Sequence, residues 1–210
     1  MQNPDGFSEN IRNKYEIYEF RHAGTILKND FPEEYNQLIE LLKNFLVSYE
    51  DIQTPGGRKS PIASKFDTAL YGNGWQEKRW DISIRVDNED NPSPTHSVDY
   101  YKNHVAVELE WNNKDPFFDR DLNNFRLLHQ LGVISVGVII TRADELQQLF
   151  DKLGKGKSYG ASTTHISKLL PKIIGGGAAE CPILVFAITK NACIEKVKEI
   201  IEEGGEETSQ

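Results

Sequence analysis

Three acidic residues lie close together in the segment SVDYYKNHVAVELEW, residues 97–111. They are Asp99, Glu108 and Glu110, and apolar residues alternate with the two glutamates in a pattern typical of a β-strand. Because alternate side chains of a strand project to the same side, Glu108 and Glu110 repel each other unless a cation lies between them. Asp99 can add another oxygen ligand of the type that Mg²⁺ prefers. The arrangement is typical of a metal-dependent nuclease site, although E-x-E is also common on solvated strand faces.

The elements around this segment are predicted from hydrophobic periodicity and helix-capping residues. Strands are predicted over residues 80–86, 105–111, 133–141 and 183–189, and residues 88–96 are predicted to be a polar connection. Helices are predicted over residues 35–49, 142–153 and 192–203, and a further helix is predicted to begin at Asp115-Pro116 and to stop at Gly132. This order predicts an α/β fold with a central mixed β-sheet flanked by helices.

Length and composition are those expected of a single domain. The chain has 210 residues, of which 38% are hydrophobic, enough to bury a core. We expect one domain over residues 1–210, with a helical part over about residues 1–55 and an acidic tail over about residues 203–210. Cys181 and Cys193 lack metal or redox spacing, and neither a membrane span nor a signal peptide is visible. These features predict a cytoplasmic protein without membrane association.

The charge distribution argues against a general polyanion-binding protein. The formal net charge is −8, and the last residues, IEEGGEETSQ, add to the acidic excess. Basic residues are nevertheless concentrated in three places, at Arg58-Lys59, at Lys78-Arg79 and around Lys152, Lys155 and Lys157. A local positive surface on an acidic protein is therefore expected, and bound cations would offset part of the acidic charge.

Several sequence blocks occur in an order that resembles a known family. Asp99 is followed after eight residues by Glu-x-Glu, then by WNNKDPFF and a helical segment. Further blocks are KSPIASKF at 59–66, GVISVGVII at 132–140, YGASTTHISKL at 159–169 and GGGAAECPILVFAIT at 175–189. The series resembles the BglII/BstYI-type restriction endonucleases of the PD-(D/E)XK nuclease superfamily, over about residues 55–190.

The resemblance implies a restriction-endonuclease-like core and a Mg²⁺-dependent type II restriction endonuclease, in which Mn²⁺ substitutes for Mg²⁺. Asp99, Glu108 and Glu110 would be catalytic, and Asp99, Glu108 and the backbone carbonyl of Leu109 would bind the ion. Glu110 departs from the superfamily's usual Lys and from the Gln of BglII-like enzymes, and is similar to BamHI-like enzymes. It would either orient the attacking water or act as a base. The implied reaction cuts double-stranded DNA at a short palindromic site and leaves 5′-phosphate and 3′-hydroxyl ends.

Residues that could contact DNA follow from position and from the resemblance. Asn112, Asn113 and Lys114 lie directly beyond the catalytic strand, and asparagine can bind adenine through two hydrogen bonds. Ser162, Thr163 and Thr164 lie in the block that resembles the family's recognition loop. Each of these residues could equally be a loop cap or a turn residue.

A palindromic site cut on both strands implies a two-fold homodimer. The helix over residues 117–131 is the candidate interface because Phe117 and Phe118 look exposed, although packing inside the monomer competes with this interpretation. A cognate DNA methyltransferase is expected in the same system, but not in a stable complex with this protein.

Several alternatives stay open at this point. Asp81 also precedes Glu108 and could replace Asp99 as a ligand, whereas His96, His104, His129 and His165 lack the spacing of a zinc site. A non-restriction nuclease of the same superfamily, active in repair or in a mobile element, is one alternative function. A catalytically inactive DNA-binding module is another.

Overall fold

The computed structural model describes residues 4, 6–54, 59–93, 95–195 and 197. Within these ranges the helices are α1 (Glu9–Lys14), α2 (Ala23–Asp30), α3 (Pro32–Asn44), α4 (Tyr49–Gln53), α5 (Pro61–Tyr71), α6 (Pro116–Gln130), α7 (Leu146–Lys152) and α8 (Ile166–Ile174). The strands are β1 (Tyr15–Phe20), β2 (Gln76–Lys78), β3 (Ile82–Val86), β4 (Glu89–Ser93), β5 (Val98–Lys102), β6 (Val105–Leu109), β7 (Val136–Arg142) and β8 (Ile183–Ile188). A short 3₁₀ helix follows at Lys190–Ala192.

Six of the described strands form one mixed sheet in the order β1-β8-β7-β6-β5-β2. The three central strands, β6, β7 and β8, run parallel, whereas β1, β5 and β2 are joined antiparallel to their neighbours. All residues of the central strands are buried, as expected of parallel strands covered on both faces. The prediction of a central mixed sheet flanked by helices is confirmed.

Apolar side chains form one core on each side of the sheet. The first core contains residues of the N-terminal helices, of α5 and of α7 together with Val105, Val107 and Leu109 of β6. The second core is formed mainly by α6 and α8 against Ala106, Ile139 and Val185. Because strand side chains alternate between the faces, Glu108 lies on the same side of β6 as Ala106. It therefore faces α6.

Helix α6 begins and ends where the sequence predicts. Pro116 occupies its first turn, and Gly132 follows it with φ of 69°, a conformation that favours glycine. In its middle, Phe125 packs so closely on β7 that a Cβ at Gly137 would lie 2.5 Å from the phenylalanine ring. Gly137 thus allows α6 to approach the sheet, and this approach brings the helix to the acidic residues of β6.

The predicted helix over residues 35–49 is divided in two. Helix α3 ends at Asn44, Val47 pairs with Cys193 in an isolated bridge, and α4 starts at Tyr49. Ser48 causes the new start, because its hydroxyl accepts from the backbone N–H of Asp51 while Asp51 accepts from the backbone N–H of Ser48. Hydrophobic periodicity continues across the break and conceals it.

The predicted polar connection over residues 88–96 contains a strand. β4 pairs antiparallel with β3 in an exposed hairpin, on which Ile84 and Val86 lie open to solvent. The sequence prediction was wrong here because Asn and Pro in β4 disfavour a strand, whereas an isolated hairpin tolerates them at its edges. The part over residues 1–55, which was expected to be helical, also contains strand β1, which pairs antiparallel with β8, so that expectation was wrong for residues 15–20.

Two predicted features lie wholly or mainly outside the described residues. These are the helix over residues 192–203 and the acidic tail over residues 203–210. Within the described ranges, no helix combines the length and apolarity needed to cross a membrane.

Phe118 does not contribute to an exposed surface of α6. Its side chain is fully buried in the second core, while Phe117 is half-buried beneath the guanidinium of Arg120. The expectation that both phenylalanines are exposed was therefore wrong for Phe118. Packing within the monomer, the competing interpretation, applies to this residue because it lies on the same face of α6 as Leu122 and Phe125.

Candidate metal-binding active site

Asp99 and Glu108 are brought together by the antiparallel pairing of β5 with β6. Tyr100 lies opposite Val107, so the residues that follow this pair in the ladder are Asp99 and Glu108. The backbone N–H of Leu109 donates to Asp99 Oδ2 at 3.0 Å, and the backbone N–H of Asp99 donates to Glu108 Oε2 at 3.2 Å. These bonds fix both carboxylates at the end of β6.

Glu108 and Glu110 are both buried, each only 1% exposed, so the E-x-E is not a solvated strand face. The backbone of Glu110 continues the alignment with β7, since its N–H donates to the Ile140 carbonyl and its own carbonyl accepts from the Thr141 hydroxyl. Its side-chain Oε2 accepts from Asn113 Nδ2 at 2.9 Å. The side chain is therefore held between the sheet and the loop that follows β6.

Two further residues join the carboxylates from other parts of the fold. Asp121 of α6 is fully buried, and His96 lies in the segment before β5. The Nε2 atom of His96 lies 3.2 Å from Asp121 Oδ1 and 3.6 Å from Glu108 Oε1. Arg120 donates to Asp121 Oδ1 through Nε and Nη2 and lies 3.7 Å from Glu110 Oε1.

Sequence reasoning missed both His96 and Asp121. The spacing of the histidines along the chain does not reveal that His96 meets residues of β6 and α6. A signal for Asp121 was present, because it belongs to the buried row of α6 with Phe118, Leu122 and Phe125. An acidic residue in an apolar row of a helix requires a partner inside the protein.

Burial and mutual repulsion shift the protonation of these carboxyl groups. Desolvation raises the pKa of Asp99, and the backbone N–H of Leu109 opposes this shift. Desolvation, followed by the charges of Asp121 and Asp99, raises the pKa of Glu108 well above its ordinary value. Desolvation and then Asp121 raise the pKa of Glu110 to about 9. The site holds these groups as carboxylates only at a cost in free energy, which a cation would remove.

The residues present fit a divalent cation. Glu108 Oε1 and Asp121 Oδ2 are buried oxygens that accept no hydrogen bond among the described residues. Four carboxyl groups, those of Asp99, Glu108, Glu110 and Asp121, lie close enough to shift one another's pKa, whereas Arg120 contacts two of them, Asp121 at 2.9 Å and Glu110 at 3.7 Å. Hard oxygen donors with excess negative charge are the ligand set that Mg²⁺ and Mn²⁺ bind.

A cleft with a volume of about 580 Å³ opens beside the site. Asp99, Leu109, Asn112 and Asn113 line its inner end, and residues of the α5 side, Lys59, Ser60, Ala63, Asp67 and Tyr71, line the opposite wall. Tyr100 donates to Asp67 and joins the two walls. Asp99 thus lines this cleft, whereas Glu108 and Glu110 are buried and do not.

The residues predicted to contact DNA divide into exposed and buried groups. Asn113, Lys114 and Ser162 are exposed, and Asn112 is half-buried. Thr163 and Thr164 are buried, and their hydroxyls form hydrogen bonds inside the protein. Thr164 Oγ1 accepts from the backbone N–H of Asn113, so it holds the loop after β6 in place.

Arg142, at the end of β7, was also missed by sequence reasoning. It is 1% exposed, lies over the rings of Phe150 and Tyr159, and donates to the Tyr159 carbonyl and to Thr163 Oγ1. Desolvation lowers its pKa to about 10. Arg142 thus supports the loop at residues 159–165, and this loop in turn binds the backbone of Asn113.

Asp81, the alternative ligand, lies elsewhere. It is exposed at the start of the β3–β4 hairpin, whereas Asp99 contacts Glu108 and Leu109 directly. The geometry therefore favours Asp99.

Comparison with known proteins gives one family match. A family model described as restriction endonuclease BglII/BglIII matches residues 15–188, from the first residue of β1 to the last of β8. A search of curated proteins gives no match. The matched range is most of the chain and contains the whole six-stranded sheet with its acidic site. The chain belongs to the BglII/BglIII family of restriction endonucleases.

Proposed function

We propose that this protein is a Mg²⁺-dependent type II restriction endonuclease that hydrolyses both strands of DNA at a short palindromic site. The observation that carries the proposal is that Asp99 lines a cleft and is bonded to Glu108, two residues before the buried Glu110, in a chain of this family. The products would carry 5′-phosphate and 3′-hydroxyl ends.

Asp99 and Glu108 would hold the cation, with the Leu109 carbonyl as a third ligand. Leu109 lines the cleft beside Asp99, and its N–H already fixes the Asp99 carboxylate. When bound, a divalent cation offsets charge that develops on the scissile phosphate and lowers the pKa of a bound water. Mn²⁺ would substitute for Mg²⁺, because the same oxygen ligands suit both ions.

Glu110 would act on the attacking water. In the cation-free protein its pKa of about 9 leaves it protonated at neutral pH. A nearby cation stabilises the carboxylate, so Glu110 becomes able to accept a proton from water or to orient the water through a hydrogen bond. Asn113 would keep the carboxylate aligned by donating to Oε2.

Base reading would fall to the exposed members of the predicted set. Asn113, Lys114 and Ser162 face solvent, and Asn112 lines the cleft. Thr163 and Thr164 would act indirectly, by keeping Ser162 and Asn113 in place. The homodimer that a palindromic site requires would use the exposed side of α6, where Asn123 and Gln130 lie, rather than Phe118.

The cleavage centre is tested with Asp99→Ala and the matched control Asp81→Ala. We expect Asp99→Ala to abolish Mg²⁺-dependent cleavage of plasmid or phage DNA while leaving specific DNA binding in place, because it removes a cation ligand and no base contact. Asp81→Ala should cut at the wild-type rate. Normal cleavage by Asp99→Ala with loss in Asp81→Ala would reverse the ligand assignment.

Sequencing the ends of the digested DNA separates restriction from other nuclease functions. Fragments that all end at one short palindrome support a restriction endonuclease. Ends distributed over many sequences would instead support a repair or mobile-element nuclease, and an absence of cutting would support a binding module.

A further inference from the structure

We propose that His96, Glu108 and Asp121 form a second divalent-cation site, which takes a transition-metal ion such as Zn²⁺ or Co²⁺ in preference to Mg²⁺. This site lies on the α6 side of Glu108, whereas Asp99 lies on the β5 side. This proposal depends on the proposed cleavage centre only because both sites use Glu108. The second site would bind metal whether or not the protein cuts DNA.

The two separations from the histidine nitrogen match those of a coordination sphere, and the Glu108 and Asp121 ligand atoms lie within 4.8 Å of each other. One atom from each of the three residues lies within 4.8 Å of the others, and His96 Nε2 is 3.2 Å from Asp121 Oδ1 and 3.6 Å from Glu108 Oε1. Ligands at about 2.0–2.2 Å from a tetrahedral Zn²⁺ ion are separated by roughly 3.3–3.6 Å. A cation therefore fits between the three side chains without a large movement.

Two buried oxygens at this position lack donors. Glu108 Oε1 and Asp121 Oδ2 accept no hydrogen bond among the described residues, although the two residues are 1% and 0% exposed. His96 is too far from Glu108 Oε1 for a good hydrogen bond. An unpaired buried carboxylate oxygen is costly, and a cation would satisfy both oxygens at once.

The two oxygens of Glu108 point to different neighbours. Oε2 accepts from the backbone N–H of Asp99, and Oε1 faces His96 and Asp121. One carboxylate can thus contribute to both sites. Nuclease sites with two cations at about 3.5–4 Å use shared ligands of this kind.

The histidine distinguishes this site from the first. An imidazole nitrogen suits Zn²⁺ and similar transition metals, whereas Mg²⁺ prefers oxygen ligands and keeps much of its water. Two carboxylates and one histidine leave a fourth position for water, as in zinc sites that bind substrate. Arg120 contacts Asp121 Oδ1 at 2.9 Å, and its side chain is 41% exposed, so it can move aside when a cation binds.

Co²⁺ binding to the full-length protein without DNA tests the site. The visible absorption of Co²⁺ reports its coordination by nitrogen and oxygen ligands, and calorimetry gives the affinity. We expect His96→Gln and Asp121→Asn each to weaken Co²⁺ binding at least about tenfold, the lower bound for residues that only orient ligands. His129→Gln, on the same helix as Asp121 but outside the cluster, should bind Co²⁺ as the wild type does.

Asp99→Asn separates this proposal from the cleavage centre. It should lower Mg²⁺ binding and keep the Co²⁺ spectrum, because Asp99 is not a ligand of the second site. Unchanged Co²⁺ affinity in both His96→Gln and Asp121→Asn, with native far-ultraviolet circular dichroism, would overturn the second site. Loss of Co²⁺ binding in Asp99→Asn alone would also overturn it, by placing the ion at the first site.

Discussion

Burial changes the chemistry of Glu110. In water a glutamate is charged at neutral pH, but desolvation and the neighbouring Asp121 raise the pKa of Glu110 to about 9. The catalytic role proposed for Glu110 therefore requires a cation that returns it to the charged form. The hydrogen bond from Asn113 helps, because it stabilises the carboxylate.

Glu110→Gln separates a base from a residue that orients water. Glutamine keeps the size and hydrogen bonding but cannot accept the proton. If Glu110 deprotonates water, we expect the cleavage rate at saturating Mg²⁺ to fall by about 10² or more. A loss of less than roughly tenfold would show that orientation alone suffices. DNA affinity measured in Ca²⁺ should change little in either case.

The raised pKa also predicts how stability depends on pH. A carboxyl group whose pKa is higher in the folded protein stabilises it below the unfolded pKa, and that stabilisation is lost as pH rises through the folded value. From pH 5 to pH 9, the cation-free protein should therefore lose up to about 1.4 kcal/mol per pH unit for each such proton. Urea unfolding at several pH values measures the unfolding free energy of the wild type and of Glu110→Gln. The free energy of the variant should change less steeply with pH. Equal slopes would place the titration elsewhere.

The loop at residues 159–165 connects the end of β7 to the loop after β6. Arg142 donates to Thr163 Oγ1, Lys114 pairs with Thr163 in an isolated bridge, and Thr164 accepts from the N–H of Asn113. Asn113 also donates to Glu110 through its side chain. A shift of this loop would therefore displace Glu110 through two successive hydrogen bonds, from Thr164 to Asn113 and from Asn113 to Glu110. The loop thus supports the candidate site, in addition to the DNA contact proposed for Ser162.

Thr164→Val tests that support. The substitution keeps the shape and removes the acceptor for the Asn113 N–H, which should cost about 1–3 kcal/mol of unfolding free energy. Cleavage should fall as well, since the Asn113 side chain loses its fixed position. Ser162→Ala is the matched control, because it removes an exposed hydroxyl in the same loop and should change stability by less than about 0.5 kcal/mol. An equal loss of unfolding free energy in the two variants would argue against the supporting role.

At the scale of the whole molecule, an acidic protein must still attract DNA to one surface. The net charge is −8, yet Lys157 is exposed just before the 159–165 loop. Lys155, by contrast, donates to the Gln53 carbonyl and so has a structural contact. Lys157 is therefore the better candidate for a phosphate contact.

Lys157→Gln should weaken binding to cognate and scrambled duplexes alike and reduce the salt dependence of both, because phosphate contacts carry no sequence information. Ser162→Ala should weaken the cognate complex alone, by about 1–3 kcal/mol if the hydroxyl reads a base. Binding titrations on both duplexes at two salt concentrations distinguish the two effects. An equal loss on both duplexes for Ser162→Ala would assign that residue to the backbone.

Local patterns in the sequence determined much of this protein. Alternation along β6, the apolar runs of β7 and β8, and the Pro116 and Gly132 signals of α6 were sufficient to predict the three parallel strands of the sheet and its central helix. The proximity of Asp99 and Glu108 could also be predicted from the sequence, because two antiparallel strands joined by a short turn bring them together. Each of these features depends on residues close together in the chain.

Only the tertiary structure decided which other side chains meet at this centre. Asp121 reaches the glutamates because Gly137 lets α6 approach the sheet, and His96 arrives from the segment after an exposed hairpin. Likewise, the position of Thr164 depends on a contact between residues distant in the chain. Its hydroxyl accepts a hydrogen bond from the backbone N–H of Asn113, 51 positions earlier. Periodicity reports which face of an element is apolar, but packing between distant elements decides what that face contacts.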